Sequence, residues 1–265
     1  MKTKLITLSA SLSLVMASVS LATAAEKTEP AAAQPSADSI LKQMSKTLAA
    51  SKKFTFTADR ELNAPFAKQQ GLQQQTKIEV AVKRPNQLAT RAKGKGDSRA
   101  VYADGKQLSL YDLTQDVYST VPAQTSLDRL PGMLASKYGF VPPLTEIIVS
   151  DPYKGITHRC KDISYLGTGK ISSGFLGLGA TECHRLSLKG KLADAELWIG
   201  IKDHLPKRLV ATLKGGSGGG KCTLNFSNWN TSADLSDQDF VFTPTKDSIK
   251  APMMTLSEIR AAHKK

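Results

Sequence analysis

The sequence predicts an α+β protein that is mostly β: a single antiparallel sheet of about ten or eleven strands with three helices packed on one face. Three observations predict it. Strand-period alternation recurs from Lys53 to Val121 with only short turns between runs, the pattern of antiparallel pairing with one apolar and one polar face. Helical spacing replaces it between Ser126 and Asp151. Alternation then returns from Asp162 to about Pro244, and no shift in composition separates two domains.

Met1 to Ala24 has the parts of a secretory signal peptide: basic Lys2 and Lys4, an apolar run from Leu5 to Leu21, and the small-residue site Ala22-Thr23-Ala24. Export to the periplasm with cleavage near Ala24 is the expectation. No Cys follows that site, so the chain is not expected to be a lipoprotein itself, and no later segment is long and apolar enough to span a bilayer as a helix. Residues 25–36, rich in Ala, Pro, Glu and Gln, read as a flexible N-terminus, 37–247 as one domain, and 248–265 as a basic tail with a helical turn at Leu256 to Ala262.

In order, Ala37 to Ser51 is an amphipathic helix. Ser36 or Asp38 caps it, and Ile40, Leu41, Met44 and Leu48 form one stripe. Lys53 to Leu62 is a strand, Asn63 to Gln70 a loop containing Pro65, and Leu72 to Lys83 a second strand. Arg84-Pro85-Asn86 turns the chain into the strand Gln87 to Ala92. Ala100 to Val121 is a three-stranded meander turning at Asp104-Gly105 and at Leu113 to Asp116. Closure at the first turn pairs Val101 with Leu108 and Tyr102 with Gln107; closure at the second pairs Tyr111 with Tyr118 and Leu108 with Val121. Val101, Ala103, Leu108, Leu110 and Val121 then share one face, and Tyr102, Tyr111 and Tyr118 the outer one.

The aliphatic face of the meander needs a cover, and the next segment supplies it. Leu127, Leu130, Leu134 and Tyr138 form one helical stripe, with Pro131 confined to a first turn, and Leu144, Ile147 and Ile148 form a second. Such helices either complete a solid core or roof a cavity. In the second half the expected strands are Asp162 to Gly167, Thr181 to Lys189, Ala195 to Lys202, Lys207 to Lys214, Lys221 to Trp229 and a short one around Phe240-Val241-Phe242. A Gly-rich tip at Gly169 to Gly179 carries Phe175 and Leu176.

The formal charge is +13; loss of Lys2 and Lys4 with the leader lowers it by two, to +11. The scattered positive charges read first as a plain solvated surface and next as affinity for an anionic membrane surface, while nucleic acid is not an expected partner. The catalytic patterns are weak. Gly215-x-Ser217-x-Gly219 has the letters of a nucleophile elbow, but a strand and not a helix follows. Cys183 and His184 are neighbours on a strand and point to opposite faces, so they cannot share a ligand sphere, and His158 and Cys160 have no further ligand nearby. No glycine loop opens a helix, no acidic pair stands out, and no cofactor is implied. Trp198 and Trp229 read as packing residues or surface anchors rather than stacking platforms. Cys160, Cys183 and Cys222 permit one disulfide at most; Cys160–Cys222 is the least excluded pairing, and three free thiols the alternative.

The blocks YADGKQLSLYDLTQDVYSTVP, KYGFVPPLTEIIVSDPY, LGTGK…ECHRLSL, ELWIGIKDHLPKRLVATLK and NFSNWNTSADLSDQDFVFTPT, in this order between Ser39 and Thr245, resemble the predicted periplasmic family called domain of unknown function 2092. That family is similar to the outer-membrane lipoprotein carriers of the LolA and LppX type. The resemblance implies a sheet curled into a half-open barrel whose concave face, covered by helices, holds acyl chains of lipids or lipoproteins. It carries over no catalytic or binding residue. The lining expected from alternation is Phe54, Phe56, Ile78, Val80, Val82, Leu108 and Leu110 from strands and Leu130, Leu134, Ile147 and Ile148 from helices. The expected function is a non-catalytic binding or carrier protein for an acylated ligand. The alternative is an envelope protein with a filled core that binds another protein.

Overall fold

A computed structural model of the chain describes residues 34–139, 144–172, 179–215 and 219–262. The first half runs α1 (Ala37–Ala50), β1 (Lys53–Leu62), α2 (Ala64–Gln70), β2 (Gln75–Lys83), β3 (Gln87–Gly94), β4 (Asp97–Asp104), β5 (Gln107–Asp112) and β6 (Val117–Pro122). Three short helices follow: α3 (Leu130–Tyr138), α4 (Thr145–Ile148) and α5 (Pro152–Thr157). The second half contributes β7 (Cys160–Ile171), β8 (Thr181–Gly190), β9 (Ala193–Gly200), β10 (Pro206–Leu213), β11 (Lys221–Asn230), the two-residue β12 (Ile249–Lys250) and α6 (Leu256–Ala262). The described residues thus hold twelve strands and six helices, more of each than expected.

All the strands join one curved, unclosed sheet in the order β12-β6-β5-β4-β3-β2-β1-β11-β10-β9-β8-β7. Every pair is antiparallel except β12 with β6. Register aligns the apolar positions into rows. Phe54, Val82, Leu88, Ala103, Leu108 and Val121 are successive cross-strand partners from β1 to β6, and all six are buried. Helix α1 packs into this inner face. The Ser36 hydroxyl caps it by accepting from Ser39 N at 3.1 Å, and Leu41, Met44 and Leu48 have no exposed surface. Burying each such side chain contributes roughly 1.5–3 kcal/mol. Tyr153 fastens α5 to α1, its N–H donating to Ser45 Oγ at 2.9 Å and its hydroxyl to Asp38 at 2.5 Å.

The meander closes two residues away from the expected register at its first turn: Val101 pairs with Leu110, Tyr102 with Ser109 and Ala103 with Leu108. Asp104 accepts from the N–H groups of Lys106 and Gln107, both at 2.8 Å, and Gly105 takes φ +90°, so the loop is Gly105-Lys106. A shift by two keeps each side chain on its own face. The second turn has the expected pairs Tyr111–Tyr118 and Leu108–Val121.

Other expectations are corrected. The loop at Asn63 to Gln70 is helix α2. Pro65 lies in its first turn, where a missing N–H is harmless, and Gly71 at φ +61° ends it. Asp151-Pro152 opens α5, with the Asp151 carboxylate accepting from Lys154 N at 2.9 Å. Strand β7 extends to Ile171 through a register shift between Tyr165 and Thr168. The Phe175-Leu176 tip, Phe140, Pro142-Pro143, Ser217 and the leader lie outside the described residues. All three thiols are unpaired. Cys160 on β7 and Cys222 on β11 have three strands between them; at about 4.8 Å per strand step the pair is beyond disulfide reach.

No strand forms at Phe240-Val241-Phe242. Gln238–Phe240 is a 3₁₀ turn against β3 and β4, and Phe240 is wholly buried. The tyrosines of the outer face are not bare. Phe242 lies among them, its ring centroid 5.7, 5.0 and 5.1 Å from those of Tyr102, Tyr111 and Tyr118. Lys83 binds Asp237 at 2.5 Å, and Lys53 donates to the Leu235 carbonyl at 2.7 Å. Asp116 accepts from the hydroxyls of Tyr111 (2.7 Å), Ser248 (2.6 Å) and Thr245 (3.2 Å). Residues 235–251 are therefore a strap across the outer face, ending as β12 on the free edge of β6.

Two outcomes are expected. Phe240→Ala lowers unfolding free energy by about 3–5 kcal/mol in urea titration, because it empties a fully enclosed site. Burial pushes the Cys183 thiol up to about 11 and raises those of Cys160 and Cys222. At pH 8 Cys183 is therefore protonated and silent to a thiol reagent in the folded protein, whereas unfolding without reductant releases three reactive thiols per chain. A single reactive thiol would instead reveal a disulfide.

Candidate functional site

The inner face of β1–β4 is graded along the strands. The row next to Phe54, Val82, Leu88 and Ala103 is Phe56, Val80, Thr90 and Val101; the following one is Ala58, Ile78, Ala92 and Arg99; the last is Arg60, Thr76, Gly94 and Asp97. The polarity therefore rises step by step from an apolar end to a charged rim. The first row is packed beneath the helices, with Leu88 alone of its four residues reaching the open space. Beyond it the packing opens into a cavity of about 190 Å³.

Ile78, Val80, Leu88, Thr90, Ala92 and Val101 form its wall, Leu72 one side, Leu144 and Ile148 its roof, and Arg60, Thr76, Asp97 and Arg99 its polar end. Three of the residues expected from sequence line this space: Ile78, Val80 and Ile148. Phe54, Phe56, Val82, Leu108, Leu130, Leu134 and Ile147 are buried in the filled part of the core, and Leu110 is partly buried against it. Phe56 stacks on Trp229, with ring centroids 4.4 Å apart, and the Trp229 indole N–H donates to the Pro206 carbonyl at 3.0 Å.

Arg60 was not expected here, although it shares the parity of Phe54, Phe56 and Ala58. Its Nη2 donates to Thr76 Oγ1 at 2.9 Å, and its Nε is buried without a hydrogen-bond partner. Arg99 engages Asp97 at 3.1 Å. No carboxylate pairs with Arg60 among the described residues, and desolvation lowers its pKa from the ordinary arginine value, though an arginine remains cationic.

The roof is fastened from several sides. Arg84 donates to the carbonyls of Leu48 (2.7 Å) and Ser51 (2.5 Å) at the end of α1, and to that of Val149 (2.7 Å) just after α4. Its guanidinium lies 4.9 Å from the centroid of the Phe54 ring. Asp128 accepts from Ser150 N (2.6 Å) and Ser150 Oγ (2.7 Å), and Arg159 pairs with Glu146 of α4. Leu144 enters α4 at φ +66°, a conformation disfavoured for a branched side chain, with that side chain buried over the cavity.

The arrangement is an unclosed, mostly antiparallel sheet with an apolar, polar-ended cavity beneath short helices. The chain belongs to the family described as predicted periplasmic protein (DUF2092), whose profile matches residues 37–254. No curated protein sequence matches it. Among solved structures it is similar to MucB (13% identity, TM-score 0.43, covering 78% of this chain and 62% of that one). It is likewise similar to the MucA/MucB complex of Pseudomonas aeruginosa (15%, 0.41, 78% and 61%). The LolA superfamily protein NE2245 of Nitrosomonas europaea is a third (12%, 0.35, 78% and 98%). The chain thus spans about three fifths of the MucB chains.

Arg84→Met is expected to lower stability by about 3 kcal/mol or more in urea titration, since three carbonyls lose a charged donor at once. Arg84→Lys, which keeps one donor group, is expected to retain part of that loss.

Proposed function

We propose that the chain is an exported, periplasmic, non-catalytic binding protein for an apolar ligand of the acyl type. The observation that carries this reading is the cavity of about 190 Å³ on the inner face of the sheet, roofed by Leu144 and Ile148. An apolar cavity of roughly 150 Å³ suffices for benzene, six carbons; by that scale this one holds about eight. At about 0.8 kcal/mol per buried CH₂, a chain of that length contributes roughly 6 kcal/mol before ordering costs, adequate for reversible binding. The size favours a single chain over the several chains of a lipoprotein. The signal peptide at residues 1–24 supplies the route of export, and the basic surface suits work beside an anionic membrane.

A second reading has its own observation. Phe54, Leu108 and Leu134 have no exposed surface, so much of the space that a large acyl cargo would need is already filled. A protein partner held on the sheet's outer side fits that fact without any ligand in the core. Native mass spectrometry and solvent extraction of protein purified from the periplasm separate the two. The acyl reading expects a substoichiometric lipid adduct that Ile78→Phe, by filling the cavity, removes without loss of fold. Protein that carries no adduct and takes up no chain of six to ten carbons on incubation would overturn it.

A further inference from the structure

The polar end of the cavity has a charge that selects among chains. Register places Arg60, Thr76 and Asp97 in one cross-strand row and Arg99 in the next, all bordering the same space as Ile78, Val80 and Ile148. Asp97 and Arg99 neutralise one another. Arg60 remains, held by Thr76 Oγ1 through one nitrogen, with its Nε buried and unpartnered. A part-buried guanidinium with no carboxylate of its own, only the field of Asp97 that Arg99 shares, is costly, and a planar two-oxygen anion is the group that matches its fork. The net charge of this end is +1, so it complements a monoanion. Along the strands from this row to Leu88 the wall is apolar apart from Arg99, which is paired with Asp97, and Thr90.

We infer that the cavity binds a medium-chain fatty acid, its carboxylate on Arg60 and its alkyl chain along Ile78, Val80, Leu88 and Ile148. The inference rests on the acyl-ligand reading and adds to it a head group, an orientation and a length of about eight carbons. It also makes Arg60 the determinant of specificity, because an alcohol or amine of equal length gains the same apolar contact but leaves the guanidinium unpaired or repelled.

Isothermal titration calorimetry of the full mature chain with octanoate, 1-octanol and octylammonium tests this, all below their aggregation concentrations. The expected order is octanoate at least tenfold tighter than octanol, with octylammonium weakest. In Arg60→Met the octanoate advantage disappears while octanol affinity changes by less than threefold. Should that variant fail to fold, the Arg60 Nε–H resonance of the wild-type protein serves instead: octanoate shifts it and octanol does not. Equal binding of octanoate and octanol to the wild type would overturn the head-group assignment and leave the acyl-ligand reading standing. So would an octanoate preference that survives in folded Arg60→Met. Binding of none of the three probes would overturn both.

Discussion

The fold depends on what one arginine satisfies. At the end of the α1 helix Leu48 and the capping Ser51 are buried and their carbonyls need donors, and the segment after α4 arrives at the same place. Arg84, at the turn between β2 and β3, meets the carbonyls of Leu48, Ser51 and Val149 with one guanidinium and lies over Phe54. Its own Nε is left without a partner, and burial depresses its pKa. A cation of this kind is tolerated only because it meets several acceptors that would otherwise be orphaned. The first helix, the central strands and the cavity roof thereby share one side chain as a common tie, beside the Asp128–Ser150 and Arg159–Glu146 contacts.

Each face of the sheet solves a different problem. The inner one is strongly apolar and is covered by α1, α3 and α4. The outer one carries Tyr102, Tyr111 and Tyr118, whose rings hold surface that water solvates poorly while their hydroxyls want partners. The C-terminal strap meets both needs: Phe242 packs among the rings, and Asp116 accepts from Tyr111. The strap also places two residues on the edge of β6, where an unpaired strand would invite association with another chain.

Side-chain parity was legible in the sequence, and the two faces followed from it: Phe54, Phe56, Ile78, Val80, Val82 and Leu108 all point inward. The hairpin register was less legible, because Asp104-Gly105 marks a turn without saying whether Asp104 belongs to the loop or to the strand. Helices α2 and α5 are seven and six residues long, too short for a helical period to stand out from a proline-bounded loop. Phe240-Val241-Phe242 has the composition of a strand, but the neighbouring segments of sheet were already paired, so packing across the sheet decided its conformation. Arg60 was passed over because a charged residue at the end of an alternating run is ordinarily taken as solvent-facing. Its parity with Phe54 was the available signal, and only the register across β1–β4 gives that parity a meaning.

The sheet's two ends, β12 and β7, never meet. In a closed barrel, strand number and stagger fix the radius, and no dilation is possible without breaking ladder hydrogen bonds. An open sheet escapes that geometric lock. Its curvature is an elastic variable, restrained by the helices wedged into the hollow and by the strap drawn across the back. Interior capacity in such a molecule is a matter of compliance, adjustable by relaxing a few side-chain contacts while the whole hydrogen-bonded ladder stays intact.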